Sequence, residues 1–468
     1  MCSIRILYYL LGFPPLHDGG LMVYAKDLAL TMKELGLDVI LLEPGYYNPF
    51  VSKTHVKFVD HFERQIPLYS IINPLPFTTQ GVRDPENFFE NSITQKTFEE
   101  FIDQIKPDVI HVHSLIGLPI EFLYAAKKHK IKLIYTTHDY YGICPKVRLF
   151  DINGDNCIDY ENGFKCLLCN MNSPPTLQLK IKRNLAWLTY RYPRLLKIAK
   201  KLGKKVYRRL TKNTAHNESE SIETKTQENR SYKSSYFEAM IRYYMQAFSL
   251  FDLFHFNSSI SEKVYKKFVP TIKGKVINLT HRGIRDNRQT QYIPMKDGYL
   301  NITFLGNADD RAKGFHLVEK ALRDLLENLN LKRIRLHVWG YSQRNFSSQE
   351  NIIYHGKYSY NDLKSIFSTS DILIFTSICW ETYGFVALEA LSYGVPCLIS
   401  ERAGITDVVK LINKNMIITP SSKAISDAIY NLYKNPETLI KYHEDILRVS
   451  WIKEMKTHTL EIIEKFYK

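Results

Sequence analysis

Two glutamates eight positions apart, Glu381 and Glu389, sit in the run SICWETYGFVALEALSYGVPCLIS, Ser377 to Ser400, which otherwise reads as core. An ionised carboxylate only accepts hydrogen bonds, and its two oxygens can take a pair of neighbouring hydroxyls. Between the acids lies Gly384, which lets backbone come close to a ligand. Phe385 then opens a helix whose free N–H groups and dipole favour an anion. An anion with a diol-binding acid on either side describes a sugar nucleotide: diphosphate in the middle, ribose and hexose at the ends. The plainer alternative makes Glu389 a solvated helix residue and Glu381 a capping acid. The strand DILIFTS ahead and the strand entry SYGVPCLIS behind place the turn at the carboxyl edge of a sheet, where such folds bind ligands. The binding role is the reading adopted.

A second constellation is Cys144, Cys157, Cys166 and Cys169, spaced C-x12-C-x8-C-x2-C. Four soft ligands with one C-x2-C pair suit a tetrahedral structural zinc in a long loop with no core of its own. Free thiols, or a redox or iron–sulfur role, are the alternatives. With Cys2, Cys379 and Cys397 the count is seven. An odd number without an export signal points to a reducing, cytoplasmic setting.

These residues need elements to hold them. In the first third, RILYYL, DVILLE, DVIHVHS and KLIYTTHD alternate with helical patterns such as LMVYAKDLALTMKELG, which predicts a parallel sheet covered on both faces. A second alternating series runs from ITFLG through RIRLHVWG, IIYHG, DILIFTS, PCLIS and MIITP. The fold class expected is α/β with two Rossmann-like, doubly wound domains facing a central cleft. Residues 1–285 form the first domain, with an insertion at about 140–235, and residues 286–445 form the second. Residues 446–468 are a C-terminal helix expected to pack back toward the first domain. Within the insertion, 140–172 reads as loop, 177–210 as basic amphipathic helix split at Pro193, and 211–235 as polar linker. A strand is expected at 276–281.

The net charge of +15 is local. Residues 162–217 hold 14 Lys and Arg and no Asp or Glu, and without them the chain carries +1. A uniformly basic nucleic-acid binder would look different, so no nucleic-acid partner is expected. In 177–210, Ile181, Leu185, Leu188, Leu195, Leu202, Val206 and Leu210 recur at helical spacing among basic residues, with Trp187 and Tyr190. Such a segment can lie on an anionic membrane, or pack as a charged face on the first domain. The 45% apolar content contains no run of about 18 residues to span a bilayer. IRILYYLLGF reads as a buried first strand rather than a leader.

Several of these motifs together resemble one family. ETYGFVALEALSYGVPCLIS is similar to the E-x7-E signature of retaining glycosyltransferases of family 4, with the two-Rossmann GT-B fold. HDGG after the first strand, KPDVIHVHS, TTHD, ITFLGNADDRAKG and HVWGY follow the same family in order. The resemblance implies that Glu389 holds the ribose hydroxyls and Glu381 the donor sugar. The Gly384–Phe385 amides would contact the sugar or phosphates, and Lys313 would neutralise the diphosphate. Where the family usually carries an arginine after the FLG glycine, this sequence has Asn307, and Arg311 is the nearest substitute. Gly19 and Gly20 would present amides to phosphate or acceptor. His138 would lie by the reacting sugar carbon, with Asp139 orienting it. A core histidine is the alternative for His138.

The activity implied is transfer of a hexose, with retention, from a nucleotide diphosphate sugar to a glycan or lipid-linked acceptor in surface polysaccharide synthesis. No cofactor is expected to be needed for catalysis. The site would be cytoplasmic, or peripheral on the inner face of the cell membrane. A nucleotide-sugar epimerase or phosphorylase of the same fold is the enzymatic alternative, and a basic nucleic-acid-binding protein the alternative of another class.

Overall fold

The computed structural model describes residues 4–13, 19–191, 227–329, 331–340 and 351–468. His17 and Asp18 of the HDGG motif, Tyr341 of HVWGY, Pro193 with the basic stretch beyond Arg191, and 211–226 of the expected linker lie outside the described residues.

The chain divides into two units. The first comprises Met1–Val147, Cys157–Phe254 and Thr271–Lys273, and the second comprises Arg148–Asn156, His255–Pro270 and Gly274–Lys468. The N-terminal elements run β1 (Arg5–Tyr9), α1 (Gly20–Glu34), β2 (Asp38–Pro44), β3 (His55–Phe62), β4 (Ile66–Ile72), α2 (Gln95–Ile105), β5 (Val109–Val112), α3 (Ile120–Lys128) and β6 (Lys132–Thr136). They are followed by α4 (Phe164–Asn170), α5 (Thr176–Arg191), α6 (Gln227–Ser249), β7 (Leu253–Phe256), α7 (Ser259–Phe268) and β8 (Gly274–Val276). The described strands form a sheet of order β3-β4-β2-β1-β5-β6-β7-β8. β1 pairs in parallel with β2 and β5, and β5 with β6. β5 is wholly buried, as expected where helices cover both sheet faces.

The second series runs β9 (Leu300–Leu305), α8 (Phe315–Asn328), β10 (Ile334–Trp339), β11 (Ile352–Gly356), α9 (Leu363–Ser368), β12 (Ile372–Phe375), α10 (Phe385–Ser392), β13 (Cys397–Ser400), α11 (Thr406–Ile412) and β14 (Ile417–Ile418). Helices α12 (Ser422–Lys434), α13 (Glu437–Arg448) and α14 (Met455–Ile462) follow. The sheet order is β11-β10-β9-β12-β13-β14. The strand order reverses between β9 and β12, and such a switch point opens a crevice at the carboxyl ends. Buried β9, β12 and β13 form the centre of this core.

The elements differ from expectation in several places. β3 and β4 form an antiparallel edge pair, and α2 lies between β4 and β5; the sequence reading assigned none of them. β3 has no fully buried residue, and Lys57, Phe58, Asp60 and His61 are exposed, as suits a sheet edge. The expected loop 140–172 contains α4, which carries Cys166 and Cys169. Residues 227–235 of the expected linker are helical, the first turns of α6. Buried Phe237, Met240, Ile241 and Tyr244 recur along that helix and anchor it. The strand expected at 276–281 lies at 274–276. Only Ile277 continues the pairing, donating to Phe256 O at 3.0 Å, and the chain then leaves the sheet edge.

Helix α5 packs with an unexpected face. Arg183 is 4% exposed, its Nε donates to Gly45 O at 2.9 Å, and its guanidinium lies 4.7 Å over the Phe77 ring. Leu179 is buried beside it, whereas Leu177, Ile181, Leu185 and Leu188 are exposed. Among the described residues, no helix is long and apolar enough to cross a membrane.

Candidate functional site

The switch point of the second unit is flanked by the loop after β9, which carries Arg311 and Lys313, and the loop after β12, which carries Glu381. The two loops meet. Lys313 Nζ donates to Glu381 Oε2 at 2.7 Å, and Ser377 Oγ donates to the same oxygen at 3.1 Å. Burial disfavours the Glu381 charge, but the ammonium and the hydroxyl outweigh it and hold the carboxyl below its usual pKa range. Burial likewise opposes the Lys313 charge, and the neighbouring carboxylate more than restores it, so its pKa is raised. Both groups are therefore ionised near neutrality. The Glu381 backbone is fixed as well: its N–H donates to Arg402 O at 3.0 Å, and its carbonyl accepts from Gly404 at 2.9 Å.

Gly384 follows with φ 131°, a left-handed conformation that L side chains rarely adopt, and it is the N-cap of α10. No side chain among the described residues caps that helix. The N–H groups of Phe385 and Val386, ahead of the Ala387 N–H that donates to Gly384 O at 3.2 Å, are thus available to an acceptor. Phe385 packs edge-on against His281, ring centroids 5.1 Å apart. One turn in, Glu389 Oε1 lies 3.3 Å from His281 Nε2. Gly283 N–H donates to His281 Nδ1 at 3.1 Å, and the buried Nε2 makes no hydrogen bond among the described residues. The early end of β8 makes this contact possible, because the freed chain carries His281 to α10.

Arg311 is exposed, and its guanidinium packs on the backbone of Gly154. It also depresses the pKa of His316, second to burial. Gly19, Gly20 and His138 belong to the first unit. Gly19 is the N-cap of α1 and Gly20 its first residue. His138 follows β6. Its Nε2 is 3.1 Å from His113 Nδ1, and its ring packs on Tyr24 at 5.2 Å. Beside it, burial pushes Asp139 up to about 6, against hydrogen bonds from the Tyr141 N–H and Ser114.

None of the four cysteines of the insertion is in a disulfide, and they lie within electrostatic reach of one another. Burial, then Cys144, pushes Cys157 up to about 11, and Cys166 is raised by burial and by Cys144, Cys157 and Cys169. Among the described residues, no group of three or more His, Cys, Asp or Glu is placed to hold a metal ion.

Comparison with known proteins places this arrangement. Residues 287–448 match the family described as Glycosyl transferases group 1, and residues 18–222 match Glycosyltransferase Family 4. The chain belongs to the group 1, family 4 glycosyltransferases. An uncharacterised 42.6 kDa protein in the cps region of Klebsiella pneumoniae is 29% identical over 170 residues, 34% of this chain and 39% of that one. Glycogen synthase of Caldicellulosiruptor saccharolyticus is 25% identical over 173 residues, 30% of this chain and 36% of the relative. The chain thus spans under two fifths of the length of these curated relatives. Sucrose-phosphate synthase from Thermosynechococcus elongatus has the same fold, with TM-score 0.56, 13% identity and coverage of 99% and 98% of the two chains. Anabaena HepE in complex with UDP-glucose gives TM-score 0.55, 12% identity and 99% coverage of each chain. The two α/β units have the GT-B fold.

In this chain, His281, Ser377, His113 and Arg402 reach the predicted residues without having been singled out in the sequence. His281 was hidden in a segment read as strand. His113 carried a signal, since HVHS at a strand's carboxyl end places it beside TTHD on the neighbouring strand.

Proposed function

We propose that the protein is a retaining hexosyltransferase that uses a nucleoside diphosphate sugar. The carrying observation is the Lys313–Glu381 pair, 2.7 Å long, beside a helix N-terminus with no side-chain cap and a second acid, Glu389, on the same helix. Lys313 and the Gly384–Phe385 amides take the diphosphate, Glu389 the ribose and Glu381 the hexose hydroxyls. HepE, a neighbour in fold, binds UDP-glucose, which supports this donor class. Gly19 and Gly20 are proposed as further donor contacts, and His138 as the residue beside the sugar's anomeric carbon; Arg311, exposed and packed on Gly154, is given no donor contact.

In the reaction, the bond from the anomeric carbon to the phosphate oxygen breaks, and a bond to the acceptor hydroxyl forms on the same face. The acceptor's proton passes to the departing diphosphate. Positive potential at the leaving group lowers the barrier, and removing one such donor typically costs about 10²–10³ in turnover. Glu381 orients the sugar and is no nucleophile in this scheme. The acceptor is a glycan or a lipid-linked sugar of a surface polysaccharide, a reading supported by the cps-region relative. The enzyme would work in the cytoplasm or on the inner face of the membrane, using the exposed Leu177, Ile181, Leu185 and Leu188 of α5.

Titration calorimetry with UDP-, GDP-, ADP- and dTDP-linked monosaccharides tests the donor. At least one is expected to bind, and Glu389→Gln and Glu389→Ala are expected to weaken it. No binding by the intact protein, or unchanged binding in both variants, removes the proposal. The zinc proposal at Cys144, Cys157, Cys166 and Cys169 rests on residue type and spacing. About one zinc per chain in protein purified without metal-affinity resin would support it, and four thiols titrating in native protein would remove it.

A further inference from the structure

The segment Arg148–Asn156 lies in sequence within the insertion, but it belongs to the second unit. It is a self-bonded turn. Phe150 and Asn156 form an antiparallel bridge, and Asp151 Oδ1 accepts from the N–H groups of Asn153 at 2.9 Å and Asp155 at 3.1 Å. Each of its attachments falls on one of the two loops that carry Lys313 and Glu381. Arg148 Nη1 donates to Asp310 Oδ2, and Asp310 Oδ1 in turn caps the turn leading to Lys313 by accepting from Ala312 N–H at 3.1 Å. Asn156 Nδ2 donates to Ile378 O at 3.1 Å, and Asn156 Oδ1 accepts from Trp380 N–H at 2.9 Å. That amide therefore brackets Cys379 and ends one residue short of Glu381.

Gly154 decides where the arginines go. It has φ +88°, and a Cβ there would lie 2.8 Å from Arg311 Cζ, so the Arg311 guanidinium rests on bare backbone at the outer side of the turn. Arg148 bears on the pair itself. Its charge acts on both Lys313 and Glu381, and its side chain is half exposed and accessible to a ligand. The first residue after Gly306, where a cation could have stood, is the neutral Asn307.

We propose that Arg148, delivered by this turn, is the second cation of the donor site and binds the diphosphate alongside Lys313, while Arg311 holds the turn in place. The proposal rests on the donor reading given above. It has a chemical reason. Lys313 is matched by Glu381 and presents a compact ammonium, whereas a guanidinium held to Asp310 through Nη1 keeps further N–H donors in a planar fork suited to phosphate oxygens. The two ion pairs keep the site nearly neutral and fix both cations in place before the anion arrives.

The test is calorimetry on the full chain with whichever nucleoside diphosphate the wild-type protein binds, set against the matching monophosphate. Arg148→Gln should weaken the diphosphate about tenfold or more and the monophosphate less than about threefold. Arg311→Gln should change either by less than about threefold. Arg148→Lys, which keeps the ion pair but not the fork, should fall between wild type and Arg148→Gln, and it serves if the glutamine variant unfolds. Diphosphate binding within about twofold of wild type in both Arg148 variants overturns the proposal. So does an equal loss of mono- and diphosphate, which marks a merely structural effect, or a larger loss in Arg311→Gln than in Arg148→Gln. Wild-type protein that binds no nucleoside diphosphate overturns the donor reading itself, and a wild type that binds while Arg148→Gln is silent overturns only this inference.

Discussion

The Lys313–Glu381 pair has a pH signature of two signs. Glu381 is depressed, so its share of stability is complete above its unfolded value and is lost as pH falls through its folded pKa. Lys313 is raised, so its share is complete below its unfolded value of 10.5 and is lost only as pH rises above that. Between about pH 6 and 9 the pair contributes a constant amount. Removing one partner leaves a poorly solvated charge. Lys313→Ala and Glu381→Gln are each expected to lower stability by about 1–3 kcal/mol, and the double variant by less than their sum, in a urea-unfolding cycle. Additive losses would mean the pair does not act as one. Asp139 shows the opposite case. Its carboxyl is raised from 3.8 to about 6, so the folded state holds the proton more tightly than the unfolded chain. Stability should fall as pH rises from about 4 to 6 and level off above, and Asp139→Asn should flatten that slope in thermal unfolding at a series of pH values.

At the scale of elements, the loop from Ile378 to Gly384 is held from outside by Arg402 and Asn156, both bonded to Ile378 O. Asn156→Ala is expected to cost about 1 kcal/mol and to raise donor KM more than it lowers kcat, because it loosens the loop that places Glu381. A fall in kcat alone would place the chemistry itself at that loop. Gly384→Ala introduces a side chain at φ 131° and should cost about 1–2 kcal/mol by thermal unfolding while weakening the diphosphate contact. Much of this region was legible in the sequence. The β12–α10–β13 passage shows its strand, its glycine and its helix through periodicity that local burial preserves. His281 was not legible, because its position depends on a strand that ends early. Arg148 and Asn156 were hidden for a different reason: a polar turn inside a cysteine-rich stretch carries no periodicity, and its docking surface lies about 150–230 residues away in sequence. The edge strands β3 and β4 were equally silent, since β3 has solvent on half its residues.

For the molecule as a whole, the 14 basic residues in 162–217 mark the segment proposed to meet a membrane. Flotation with anionic vesicles is expected to carry the intact protein. Deletion of 177–210, or the paired change Ile181→Glu with Leu185→Glu, should abolish it. Basic residues near such a surface are worth about 1 kcal/mol each, so the effect should fade with salt. Failure of the intact protein to float would remove the membrane role. The way α5 sits gives that role a direction. Arg183 is threaded beneath the Pro44–Gly45 carbonyls, and rolling the helix to hide its leucines would pull the guanidinium off both of them. The helix is in effect keyed like a shaft. Its greasy ridge keeps one bearing, and any flat partner that accepts the ridge would find the first unit always presented the same way round.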